Sequence, residues 1–121
     1  MKKETTAILK AYLCFSVLTI MLMPLALNAE FSGFITEDTT FTTANSPYSI
    51  DGDLFIAAGI TVTINPGVTF QLKANNDVMG GGDYSTKSEI IVFGTLICEG
   101  TADSLIHFKS YFGSNAAGEW G

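Results

Sequence analysis

From residue 48 onward the chain alternates apolar and polar side chains in short runs. In Gly59-Ile-Thr-Val-Thr-Ile64, Ile60, Val62 and Ile64 fall on one face and Thr61 and Thr63 on the other. After Asn65-Pro66-Gly67, Val68, Phe70 and Leu72 form the next apolar face, opposite Thr69, Gln71 and Lys73. A period of two is that of a strand with one face buried. Proline fixes one corner of the intervening turn and glycine is free to take the next. The pattern returns at Ser88–Phe93, Thr95–Cys98 and Leu105–Phe108, with Gly94 and Gly100 at the corners. Two shorter runs, Tyr48-Ser-Ile50 and Leu54-Phe-Ile56, flank Asp51-Gly52-Asp53. No apolar stripe of helical spacing lasts two turns after residue 29, so the predicted fold class is all-β.

The runs also repeat. Gly59 opens a strand closed by Pro66-Gly67, and Gly94 opens one closed by Glu99-Gly100, an offset of 35 residues. Between them lies a polar, glycine-rich insertion of 14 residues, Ala74–Lys87. Without it the repeat is about 21 residues, the length of one coil in a stacked β-solenoid. Val, Ile, Leu and Phe hold corresponding inward places in the two copies, as a stacked core requires.

The first 29 residues have a different character. Lys2, Lys3 and Lys10 precede an uncharged apolar run, Ala11 to Met23, followed by Pro24 and a small Ala29 ahead of Glu30. This is the layout of a secretory signal peptide cleaved after Ala29, and it implies a secreted or cell-surface product. A membrane anchor is the alternative, although the 17 uncharged residues Ala11–Leu27 barely span a bilayer and contain a proline. Cys14 lacks the small residues expected before a lipidated cysteine.

Composition narrows the function classes. The whole chain carries 12 acids and 6 lysines with no arginine. After loss of the leader, 11 acids face three lysines (Lys73, Lys87 and Lys109), a formal charge of −8. Nucleic-acid binding, which needs clustered Lys or Arg, is excluded. One His and two Cys are too few for a four-ligand zinc site. Hydrophobic residues, at 47%, are too many for a disordered chain. After leader removal Cys98 has no internal disulfide partner, and within Gly94-Thr-Leu-Ile-Cys98 it reads as a small core residue.

Candidate chemistry is sparse. Asp51-Gly52-Asp53 offers two carboxylates to Ca²⁺, yet Asp-Gly between two apolar runs is also what a tight turn needs, and the turn is the preferred reading. The insertion holds Asn75, Asn76, Asp77, Asp83 and Tyr84, amides, carboxylates and a phenol that could grip a sugar; a plain solvated excursion is the preferred reading. Gly80-Gly81-Gly82 is no phosphate loop, because no Lys-Ser/Thr follows it. His107 alternates with Ile106 and Phe108 and is expected to face solvent. Trp120 is expected to plug the core, an exposed sugar-stacking platform being the alternative.

The run YSIDGDLFIAAGITVTINPGVTFQL resembles the first coils of right-handed parallel β-helix proteins of the pectin-lyase-like kind. EIIVFGTLICEGTADSLIHFKS followed by GEWG is similar to their succession of strand, corner, I-x-F strand and G-x-W close. The resemblance runs from Tyr48 to Gly121. It implies a leader (1–29), a lead-in or cap segment (30–47) and about three to four coils (48–121), incomplete at the C-terminus. It also implies a secreted or surface-attached bacterial protein, of which this chain is expected to be the N-terminal piece. Enzymes of that family use an Arg or Lys base with calcium-bound Asp, or clustered Asp. No position here matches such a motif, so no catalytic residue is carried over. The leading expectation is a non-enzymatic scaffold or adhesin that binds extracellular polysaccharide or cell-surface glycan and self-associates end to end through an uncapped last coil. A polysaccharide lyase or hydrolase whose catalytic coils lie elsewhere, and a truncated fragment without activity, are the alternatives.

Overall fold

The computed structural model describes residues 30–74, 77–113 and 116–121; the leader expected at 1–29 lies outside them. Eight strands follow in order: β1 (Glu30–Ile35), β2 (Thr39–Phe41), β3 (Tyr48–Ile56), β4 (Thr61–Ile64), β5 (Thr69–Leu72), β6 (Ile90–Val92), β7 (Thr95–Cys98) and β8 (His107–Ser110). Apart from one 3₁₀ turn at Thr43–Asn45, the described residues contain no helix, and so none long and apolar enough to cross a membrane.

Every strand pair is parallel. One sheet runs β1-β3-β5-β8, with β6 also on β3; the second runs β2-β4-β7. Paired residues lie 19 to 23 positions apart where the connection is short, as in Phe31 with Ile50 and Tyr48 with Phe70. They lie 34 to 38 apart where it spans the insertion. Residues 30–47, expected as a lead-in, contribute β1 and β2, one strand to each sheet.

Parallel register stacks like on like. Tyr48 pairs with Phe70 and Phe70 with Phe108. Their rings stack at centroid distances of 5.5 and 5.3 Å. β4 and β5 keep their period of two, with Val62, Ile64, Phe70 and Leu72 buried and the Thr and Gln between them half-exposed. These residues join Phe41, Tyr48, Ile50, Leu54, Ile56 and Val68 in one core cluster. Burial then falls off along the stack. Val92 pairs with the buried Ile56, and Cys98 with the buried Ile64, yet both are exposed. Among the described residues no further strand lies on β6, β7 or β8. Cys98 is therefore not the buried residue expected, although partial desolvation still pushes its thiol pKa up. Ile106 is half-buried against the core and His107 is exposed, as its alternation implied.

Asp51-Gly52-Asp53 departs from expectation too. It is a bend within the nine-residue strand β3, not a tight turn between strands. Gly52 sits at φ +90°, a conformation open to glycine at little cost. The half before it pairs with β5 and the half after it with β6.

Candidate functional site

The bend splits the fates of the two aspartates. Asp51 and Glu30 hold the Lys73 ammonium at 2.8 and 2.7 Å. These hydrogen bonds, Asp51 first, raise the lysine pKa well above its ordinary value. Asp53 is fully buried. Its Oδ2 accepts the N–H groups of Gly81 (2.9 Å) and Gly82 (3.0 Å), and its Oδ1 that of Glu89 (3.1 Å). A buried carboxylate is tolerable when its lone pairs are filled in this way. Both aspartates thus have protein partners where a Ca²⁺ pair was considered. Among the described residues no three His, Cys, Asp or Glu side chains are grouped to share a metal ion.

The Gly81 and Gly82 bonds tie the insertion to the outer face of β3, and the Glu89 bond holds the chain just after it. Val78 packs where a Cβ on Gly52 would lie, 2.7 Å from its Cγ2, and Met79 approaches Gly33. The backbone of Gly81 crosses the Phe55 ring so closely that an added Cβ would come within 2.6 Å of Cζ. At Gly82 an added Cβ would collide with the Glu89 carboxylate. That carboxylate accepts the Tyr84 N–H at 3.0 Å. The Ser88 hydroxyl donates to the Lys73 carbonyl and accepts the Gly52 N–H, closing the base of the loop. Residues 78–86 are exposed, as a solvated excursion implies, and the loop is tied down at Gly81, Gly82 and Tyr84.

Of the five loop residues singled out from sequence, Asn75 and Asn76 lie outside the described residues. Asp77 caps its own turn, with Oδ1 accepting from Met79 (3.1 Å) and Gly80 (2.5 Å). Asp83 is exposed. Tyr84 is exposed beneath the Lys87 ammonium, 4.5 Å from its ring centroid. The C-terminal segment returns to this place. Gly121 donates to the Ser88 carbonyl and runs against the Tyr84 ring. Trp120 is 37% exposed beside it, so it does not plug the core. Exposed Tyr84 and Trp120, with Asp83 next to Tyr84 in sequence, thereby come together where Gly121 meets the loop.

Sequence reasoning missed the neighbouring ring stack. Phe34, Phe55 and Phe93 stack at 4.6 and 6.4 Å with nearly parallel planes. Phe55 is buried under the loop while Phe34 and Phe93 are 61% and 62% exposed. The signal was present: Phe55 stands between inward Leu54 and Ile56, so period two turns it outward, where a large apolar ring needs a cover. Phe34, Phe93, Val78 and Met79 together make an exposed apolar patch around the loop. Monomers seldom expose such patches without a use for them.

These features define an all-β protein of parallel strands with a latched loop on one outer face. Comparison of the chain with protein-family models, characterised proteins and solved structures returned no match.

Proposed function

We propose that the chain forms the first coils of an exported right-handed parallel β-helix, and that its loop-bearing face binds an extended polysaccharide without catalysing a reaction on it. The parallel pairing at an interval of about 21 residues, once the insertion is set aside, supports the coil reading. The observation that carries the binding reading is the cluster around the fixed loop: exposed Tyr84 and Trp120, the exposed Asp83 carboxylate, and the exposed Phe34 and Phe93 rings stacked on Phe55 beneath the loop. Aromatic faces take up the apolar faces of sugar rings, while carboxylates and backbone groups accept from sugar hydroxyls. Loops on a rigid scaffold are the usual place for such contacts.

Charge selects among polymers. Of the three lysines after residue 29, Lys73 is held by Asp51 and Glu30 and Lys87 lies over Tyr84, and the same stretch carries 11 acids. A polyuronate would be repelled, so the favoured ligand is an uncharged glycan. Titration against neutral β-glucans, xylan and polygalacturonate tests this. Binding of at least one neutral polymer is expected, weakened on the order of tenfold in Tyr84→Ala, as loss of one stacked ring implies. Absence of binding to every polymer, or a preference for polygalacturonate, contradicts it.

A further inference from the structure

The insertion is anchored in a way that its composition conceals. Ten of its fourteen residues are Gly, Asn, Asp, Ser, Thr or Lys, a mixture that ordinarily describes a loose loop. Yet its backbone converges on one carboxylate that has no exposure at all. We infer that Asp53 is the positioning residue of the loop: its carboxylate latches Gly81 and Gly82 from beneath, holds Phe55 covered, and fixes Tyr84 in the orientation that presents it to a ligand. This rests on the binding reading above only for its last clause; the latch itself stands on geometry.

Four observations converge on it. Asp53 Oδ2 accepts two successive N–H groups while Oδ1 accepts a third, a set that a carboxylate fills and an amide does not, because an Asn can turn its oxygen to the glycine pair or to Glu89 but its NH₂ cannot accept at the other. Asp53 Oδ1 takes the Glu89 N–H, which places the Glu89 carboxylate where it accepts the Tyr84 N–H. The latch thus reaches Tyr84 through one intermediate residue. Gly82 leaves no room for a side chain against that carboxylate. Gly81 lies against Phe55, so the loop is seated on an apolar ring as well as held by charge-assisted bonds.

Amide hydrogen exchange and backbone NMR on the wild type and Asp53→Asn test the latch directly. The wild type should protect the Gly81, Gly82 and Glu89 amides, with the two glycine protons shifted downfield by their carboxylate acceptor. In Asp53→Asn the acceptor loses its charge and either the glycine pair or Glu89 faces an NH₂, so that shift should shrink and protection of at least one of the two anchors should fall at least tenfold. The amides of Thr95 and Glu99, which bond to Ile60 and Ile64 on the second sheet, should be unchanged. Gly81→Ala, which alters only the loop, should loosen the same amides through its clash with Phe55 and covers the case in which Asp53→Asn fails to fold. Free exchange of Gly81 and Gly82 in the wild type overturns the inference, as does unchanged protection in both variants. Loss of the latch without any change in glycan affinity leaves the latch standing and removes Tyr84 from the binding reading.

Discussion

At the scale of single residues, Lys73 shows how position decides worth. Its ammonium meets Asp51 and Glu30 at hydrogen-bonding distance and lies 5.6 Å from the Tyr111 ring centroid. Glu30 is about half exposed, so solvent screens that half of the arrangement. Lys73→Met should therefore cost only about 0.2–1 kcal/mol at neutral pH, the range of screened ion pairs. The pH dependence has a definite sign. The pKa of Lys73 is higher in the folded chain than the ordinary 10.5, so its stabilisation is fully present below 10.5. It is lost as pH climbs through the raised value. Urea unfolding of wild type and Lys73→Met should show a difference that is constant from pH 7 to 10 and shrinks above that. A difference that grows with alkalinity would assign the effect to something other than these ion pairs.

At the scale of strands, what matters is how many layers cover a side chain. Phe70 lies between Tyr48 and Phe108 in the ladder and is 1% exposed; Val92 has Ile56 on one side and solvent on the other. Phe70→Ala should cost about 3–5 kcal/mol, the range for a fully buried ring. Val92→Ala should cost under about 1 kcal/mol, because some two fifths of its surface stays in water. Equal costs in chemical denaturation would mean that the strands are not layered as described. The alternation in β4 and β5 was legible in the sequence because a period of two needs only local information. The exposure of Val92 and Cys98 was not, since period two gives the side of a strand a residue occupies and not what lies above it. Asp51-Gly52-Asp53 misled for a related reason: the local grammar of a turn and that of a bent strand are the same, and only the pairing of β3 with both β5 and β6 separates them. Trp120 was misjudged because aromatic character signals burial without naming a partner. For the candidate site, Tyr84 and the loop carboxylates could be picked out by residue type. Asp53 could not, because its role depends on two N–H groups 28 and 29 residues away.

At the scale of the whole molecule, the account depends on successive strands being laid side by side in the same direction. That arrangement puts Val, Ile, Leu and Phe in one column, and among the described residues no further strand lies on β6, β7 or β8. It also gives the insertion a rigid face to latch onto, since β3 is buried along nearly all its length. The most direct test is solution NMR of cross-strand contacts. Hα-to-amide NOEs in parallel register are expected between Ile50 and Leu72, Leu54 and Ile90, and Val62 and Leu96. Close Hα–Hα contacts of antiparallel pairs between these segments, or helical contacts three residues apart along them, would contradict the account.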